Sequence, residues 1–229
     1  MFSIKRSIKA LAATAVAAGL LLTAAACSTN QLSTAQFGQN PDQVQSVISE
    51  LNSAKTITMK KAAFSMGDSW TVKADDKEVA TIKGEAFKVW GDTYSMYTMD
   101  GTFIGAEQEQ IHILSGRQAE TYDYQGHKAG SINAQRFSLL YQFNIIDTTG
   151  AQVGKFKQGF GFNLKGDITD KAGQKEWSAD RAMFSMGANI TLTSQTADKD
   201  VSALNAIWTV AIVNEVAEAA DSSSSKSGK

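Results

Sequence analysis

Two histidines and three acidic residues are the side chains of this chain best suited to metal or acid–base chemistry. His112 and His127 are the only histidines, and they lie near Glu107, Glu109 and Asp123 on neighbouring predicted hairpins. A zinc site needs three or four converging ligands, and this spacing along strands does not bring the side chains together. We therefore interpret both histidines as surface or barrel-lining residues and predict no metal site.

Motifs typical of enzymes are missing from the sequence. Neither H-E-x-x-H nor G-x-S-x-G occurs, and Gly159-Phe160-Gly161-Phe162 lacks the strand-to-helix setting of a phosphate-binding loop. We interpret that segment as a closely packed strand. The balance of 22 Lys and Arg against 23 Asp and Glu excludes a strongly basic nucleic-acid binder. The sequence predicts no enzyme, no catalytic residue, no cofactor and no nucleic-acid partner.

Lysines and tryptophans could still form a binding surface. A phosphate head group could bind the lysines at positions 60, 61, 83, 155 and 157, but lysines also protect sheet edges from aggregation, and we favour that second interpretation. The tryptophans at 70, 90, 177 and 208 could form a ligand platform. In a closed barrel, most of them are expected to pack in the core or cover its ends.

The N-terminus reads as a secretory signal. Lys5, Arg6 and Lys9 form a basic start, and an uncharged run rich in alanine and leucine follows, from Ala10 to Ala26. The run is shorter than the ~20 apolar residues that a membrane-spanning helix usually needs. The only cysteine, Cys27, comes directly after it.

Small residues before this cysteine make the segment resemble a bacterial lipoprotein signal. The resemblance implies cleavage between Ala26 and Cys27, a diacylglyceryl group on the thiol of Cys27, and acylation of the new amine. Two or three acyl chains would anchor the mature protein stably to a membrane. Ser28 at the next position implies the outer membrane, facing the periplasm, if the envelope is Gram-negative. The alternative is an uncleaved anchor or an ordinary signal with an incidental cysteine.

Four segments are predicted along the chain: a signal peptide (1–26), an anchor and tether region (27–54), a folded domain (55–220) and a disordered tail (221–229). Without Lys5, Arg6 and Lys9, 19 basic residues face 23 acidic ones, so the mature chain carries a net charge of −4. Within the tether region, Asn40 and Pro41 predict the start of a short amphipathic helix that ends near Asn52. The tail is rich in serine and has too little apolar area to fold.

Glycines recur at a regular interval through the folded domain. Gly101, Gly126, Gly150 and Gly173 are separated by 25, 24 and 23 residues, and the first three are followed by a second glycine four positions later. Strands with alternating or β-branched residues precede them, which predicts hairpins. Asp100-Gly101 in particular predicts a tight primed turn. Five or six such hairpins predict a sheet of ten to twelve strands that curls or closes.

A helix is predicted after the strands, from about Val201 to Val216, with Asp198 and Asp200 as candidate caps. Its residues are apolar on every side from Ala206 to Val213, so lipid or protein must surround it. The apolar stretch is too short to span a bilayer, which favours enclosure by the sheet.

Repeated hairpins, recurrent turn glycines, links such as Phe64-Ser65-Met66-Gly67-Asp68 and a final hydrophobic helix resemble the LURP-one-related family of the tubby C-terminal-like superfamily. The resemblance extends over about residues 55–219. It implies a mainly β fold, a closed antiparallel barrel of about twelve strands that encloses the C-terminal helix. The superfamily includes phosphoinositide-binding domains and phospholipid scramblases, so the resemblance implies a role related to lipids.

These observations predict a non-enzymatic lipoprotein of a bacterial cell envelope, anchored through Cys27, that binds a phospholipid or similar ligand at the membrane surface. The alternative is a structural module that binds another envelope protein and has no small ligand. A membrane is the expected partner in either case.

The anchor can be tested by replacing Cys27 with serine. We expect Cys27→Ser to move the protein from the membrane fraction to the soluble fraction, because no thiol then remains to carry the diacylglyceryl group. Ser28→Ala, which leaves the thiol in place, should stay in the membrane fraction. Membrane retention of Cys27→Ser after cell fractionation would contradict acylation at this residue.

Overall fold

Twelve antiparallel strands form a closed barrel in the part of the chain that the structure describes. The structure is a computed structural model, and it describes residues 37–62, 69–84, 93–112, 116–135, 141–159, 165–182 and 189–224. For residues 110–112, 116–117, 182 and 217–224, the description covers the backbone alone. The strands are β1 (Thr56–Lys61), β2 (Ser69–Ala74), β3 (Lys77–Gly84), β4 (Thr93–Thr98), β5 (Phe103–His112), β6 (Gly116–Tyr122), β7 (Lys128–Ala134), β8 (Gln142–Ile146), β9 (Gln152–Gln158), β10 (Lys165–Asp170), β11 (Lys175–Ala182) and β12 (Asn189–Ser194), and the helices are α1 (Pro41–Ser53) and α2 (Ala203–Ser224).

Each strand pairs with its neighbours in sequence, and the last strand returns to the first. Thr56 to Lys60 of β1 pair with Thr193 to Asn189 of β12, which closes the sheet. This confirms the predicted mainly β fold with a closed antiparallel barrel. Closure leaves no free edge among the described strands, so edge protection does not explain their lysines.

Alternating side chains determine which face of each strand lines the barrel. In β1, Ile57 and Met59 are fully buried, whereas Thr58 and Lys60 between them point outward. Successive side chains of a strand point to opposite faces, so this period of two separates the core from the outer wall. Burial of the apolar set provides the main driving force for closing the sheet around its core.

The predicted turn glycines occupy the hairpins at one end of the barrel, here called the turn end. Gly101, Gly126, Gly150 and Gly173 have φ values between 79° and 93°, a left-handed conformation that glycine adopts without steric cost. Asp100 keeps a negative φ, so the predicted primed turn at Asp100-Gly101 is wrong. Each of these loops instead has a single left-handed residue, as in three-residue hairpin loops.

A primed turn does occur between β2 and β3, at a position that contains no glycine. Asp75 and Asp76 both have positive φ values, 45° and 71°. The carboxylate of Asp75 accepts hydrogen bonds from the backbone N–H groups of Thr56 (2.8 Å) and Lys55 (3.2 Å). Aspartate tolerates the left-handed region better than most residues, and these bonds stabilise it there.

Helix α2 lies inside the barrel. All nine residues from 206 to 214 are at most 4% exposed, which agrees with the apolar character of the helix on every side. Its start differs from the prediction, because Asp198 and Asp200 do not cap it. The hydroxyl of Ser202 accepts the N–H of Asn205 (3.2 Å), and the side-chain oxygen of Asn52 accepts the N–H of Ala203 (2.8 Å).

The C-terminal end of α2 also differs from the prediction. The helix continues to Ser224, so residues 221–224 of the expected disordered tail are helical, and 225–229 lie outside the described residues. Extending an existing helix fixes one residue per hydrogen bond gained and is far easier than starting one. The alanines at 219 and 220, which strongly favour helices, precede the serine run.

Helix α1 covers part of the turn end. It begins at Pro41 as predicted, but Asn40 is left-handed and its side chain makes no cap; instead it donates to the hydroxyl of Thr102 (3.3 Å). The Gln43 side chain donates to Asp100 (2.6 Å), whose carboxylate also accepts the hydroxyl of Thr98. These two bonds, with that from Thr98 the larger influence, lower the pKa of Asp100. Helix α1 is thus attached to the turn between β4 and β5.

Close contacts around Gly154 predict that a larger side chain at this position would destabilise the barrel. A methyl group at Gly154 would lie 2.8 Å from the carbonyl oxygen of Thr169 and nearer still to the Val201 side chain. We expect Gly154→Ala to lower the free energy of unfolding by about 1–3 kcal/mol, because overpacking forces its neighbours apart. Gly159→Ala, with 3.4 Å to its nearest atom, should change it by under about 0.5 kcal/mol. Equal denaturation midpoints for the two variants would contradict the close packing.

Candidate functional site

The barrel interior is filled by side chains of α2 and of the strands. Trp208, Val210 and Val213 of α2 pack in one cluster with inward residues of the strands, such as Phe143 and Phe156. Protein interiors of this kind are close-packed. A ligand that reaches the described part of the protein must therefore meet the outer wall or the ends.

A groove of about 690 Å³ lies on the outer wall across strands β9 to β12. We call it the outer-wall groove. It is lined by Lys157, Gln158, Gly159, Lys165, Gly166, Asp167, Thr169, Ser178, Ala179, Asp180, Thr193 and Gln195. Its volume falls in the range of small-ligand pockets.

Strand register assembles the groove from residues far apart in sequence. Lys157 lies opposite Asp167, Asp167 opposite Ser178, and Ser178 opposite Thr193, which forms one row across four strands. Because paired residues in a sheet share a face, all four side chains point outward. In this row, Ser178 and Thr193 have short side chains and Lys157 has a long one. This difference in length leaves the depression that forms the groove.

Two ion pairs cross the groove. Lys165 lies 3.0 Å from Asp180, and Lys175 beside the groove lies 2.8 Å from Asp167. The Ser178 hydroxyl donates to the other oxygen of Asp167 at 3.0 Å. All four charged side chains are 43–60% exposed, so solvent screens the pairs and each contributes about 0–1 kcal/mol. Lys157 forms no ion pair with any described residue, which leaves its ammonium available.

The groove offers hydrogen bonds and charge, and its lining contains neither histidine nor cysteine. The Ser178 hydroxyl donates to the carboxylate of Asp167, which is itself paired with Lys175. The arrangement suits the binding of a polar, charged group.

Three carboxylates meet at the turn end, where α2 enters the barrel. Oxygens of Asp170, Glu176 and Asp200 lie within 4.8 Å of one another. Both oxygens of Glu176 accept backbone N–H groups, from Asp200 (2.6 Å) and Val201 (2.8 Å), and the neighbouring Trp177 indole donates to the Val201 carbonyl (3.1 Å). The cluster therefore positions the segment that leads into α2. Sequence reasoning missed it because the three residues come from separate elements.

A second polar cluster lies on the outer wall between β5 and β7. The Tyr122 hydroxyl donates to Glu120 (2.8 Å), and Lys128 pairs with the same carboxylate (2.6 Å). Burial, and secondly the hydrogen bond and charge of Glu120, raise the pKa of Tyr122 far above its usual value. The phenol stays protonated at neutral pH and cannot serve as a base.

Among the histidines and acids that the sequence placed close by, His127 and Asp123 lie near each other in the structure. His127 lies in an exposed turn, with its Nδ1 3.7 Å from Asp123, whose other oxygen accepts two backbone N–H groups of the same turn. Glu107 and Glu109 are buried, and their strand partners Thr121 and Ala119 are buried with them. The backbone of His112 lies in β5, and its side chain is outside the description.

The tryptophans of the described region are core residues. Trp70, Trp177 and Trp208 are at most 3% exposed, as the core interpretation predicts. Trp90 lies outside the described residues, as do Cys27, the signal peptide, Phe160 to Phe162 and the link 64–68. Among the lysines, Lys61 and Lys83 lie above the rings of Trp70 and Tyr97, at 5.5 Å and 5.4 Å.

No family model, curated protein or solved structure matches this chain. Within the described ranges, neither helix combines the length and the apolar character needed to cross a membrane.

Removal of the charge on Glu176 tests the role of the carboxylate cluster. Glu176→Gln keeps the shape but leaves one buried backbone N–H facing an amide group that cannot accept from it. We expect a loss of about 1–3 kcal/mol in the free energy of unfolding. Glu78→Gln, at an exposed site paired with Lys73, is the matched control and should lose under about 0.5 kcal/mol. Chemical denaturation curves that superimpose would contradict this role.

Proposed function

We propose that the mature protein is a non-enzymatic, lipid-anchored protein of a bacterial envelope that binds a phospholipid head group in the outer-wall groove. The observation that carries the proposal is the filled barrel: α2 occupies the interior, while the groove presents an available lysine beside hydroxyl groups on the outside. If the envelope is Gram-negative, the protein faces the periplasm from the outer membrane.

The attachment of the tether is compatible with this role. Phe37 packs against Phe103 with ring centroids 5.3 Å apart, and the N–H of Gly38 donates to the carbonyl of Tyr124 (2.8 Å). Phe37 follows the proposed acylation site, Cys27, by ten positions, a reach of up to about 35 Å when extended. A tether of that reach allows the outer wall of the barrel to contact the bilayer to which the chain is anchored.

Chemical composition supports a binding role over catalysis. The polar side chains of the groove are lysine, aspartate, serine, threonine and glutamine, and its two aspartates are engaged in ion pairs. The resemblance to the LURP-one-related family adds support, because the superfamily includes lipid-binding domains and its members share no common enzymatic activity. A barrel around a C-terminal helix is the fold which that resemblance implies.

Native mass spectrometry with lipid extraction is the direct test. The chain from Ser28 to Lys229 lacks the anchor and keeps every described residue, and we expect it to carry one phospholipid when incubated with bacterial total lipids. Ser178→Trp fills the middle of the groove and should abolish the adduct. Thr58→Trp, also outward-facing on a strand of the barrel, should retain it.

Absence of any phospholipid adduct from the unsubstituted chain would overturn the proposal and favour the alternative, a module that binds another envelope protein. An adduct that survives Ser178→Trp in a folded variant would overturn the placement in the groove. Circular dichroism of both variants establishes that the barrel is intact.

A further inference from the structure

We infer that the outer-wall groove selects an anionic phosphodiester that carries hydroxyl groups, as in the head group of phosphatidylglycerol, over a zwitterionic one. This inference rests on the proposed function and concerns the same site. It follows from the charges of the groove, from the engagement of its carboxylates and from the row of neutral hydrogen-bonding side chains beside Lys157.

Positive charge exceeds negative charge around the groove. Lys165 and Lys175 neutralise Asp180 and Asp167, with ion-pair distances of 3.0 and 2.8 Å. Lys157 is left over, and it has no ion pair among the described residues. A ligand with one net negative charge would balance the charge of these three lysines and two aspartates, because its phosphate oxygens accept hydrogen bonds from the Lys157 ammonium.

The carboxylates are poorly placed to receive an ammonium group. Asp167 accepts from the Ser178 hydroxyl (3.0 Å) as well as pairing with Lys175, and Asp180 is paired with Lys165. An ethanolamine or choline ammonium would share these carboxylates with Lys165 and Lys175, and the like charges would repel one another. This repulsion offsets the gain from the new pair.

Hydroxyl groups find better partners in the same row. Ser178 lies two strands from Lys157, about 10 Å at the usual strand spacing. A phosphoglycerol group that accepts from the Lys157 ammonium through its phosphate would lie along this row. Its hydroxyls would reach Ser178, and Thr193 lies one strand further along the row. Asp167 can also accept a hydroxyl, since a carboxylate has about four acceptor positions.

Vesicle co-sedimentation of the Ser28–Lys229 chain tests the selection. The vesicles contain phosphatidylcholine alone, or phosphatidylcholine with one third phosphatidylglycerol, phosphatidylserine or phosphatidylethanolamine. Phosphatidylserine has the same net charge as phosphatidylglycerol but carries an ammonium group, so it separates head-group chemistry from charge. We expect the tightest binding with phosphatidylglycerol, at least about fivefold above each of the others.

Substitution of a single lysine tests whether the outer-wall groove is the site that selects phosphatidylglycerol. Lys157→Gln should weaken binding to phosphatidylglycerol vesicles about fivefold, the effect of one lysine charge near a lipid surface. Lys60→Gln removes the same charge from an exposed, outward position on β1 and should weaken binding less than twofold. Soluble glycerophosphoglycerol should compete with the vesicles if the head group alone is recognised.

Equal binding to phosphatidylserine and phosphatidylglycerol vesicles would overturn the inferred hydroxyl recognition, and equal binding to all four compositions would overturn the charge selection as well. Either result leaves the proposed lipid binding in place if Ser178→Trp still abolishes it. Equal losses in Lys157→Gln and Lys60→Gln would overturn the groove as the selective site. Binding of glycerophosphoglycerol without vesicle binding would support the phosphodiester chemistry and overturn a lipid as its source.

Discussion

The pairing of β1 with β12 is the contact on which the rest of the structure depends. It joins strands separated by more than a hundred residues and converts a hairpin meander into a barrel. Closure satisfies the backbone hydrogen bonds that edge strands would expose, and it creates an interior wide enough for a helix. Helix α2 fills that interior, and its apolar residues from 206 to 214 have no other place to be buried.

Closure also determines where recognition can occur. The entry of α2 is fixed by polar contacts at the turn end, where Glu176 accepts two backbone N–H groups and Asn52 of α1 accepts a third. With the helix held there and the interior filled, the described side chains that a ligand can reach lie on the outer wall and at the ends of the barrel. Lysines that would protect edges in an open sheet need another explanation in a closed one, and we propose one for Lys157, which lines the outer-wall groove.

Much of the fold could be predicted from the sequence because its signals are local. The signal for a turn with a left-handed glycine, such as Gly126, lies within about four consecutive residues. The alternation of inward and outward side chains can be recognised from three, such as Ile57, Thr58 and Met59. The two-residue turn at Asp75 and Asp76 was missed, since its stability comes from N–H groups of residues about twenty positions earlier. Of the two caps of α2, the one from Asn52 was missed for a similar reason, because Asn52 reaches it from another helix, whereas Ser202 is a local cap.

The candidate site could not be predicted in this way. Lys157, Asp167, Ser178 and Thr193 carry no shared motif, and register across four strands is what places them in one row. By itself, the sequence determined the positions of the glycine turns, the alternating faces and the helix that had to be enclosed, because backbone conformation and side-chain period depend on near neighbours. Tertiary structure alone decided which outward side chains became neighbours, because pairing between strands depends on the closed sheet as a whole.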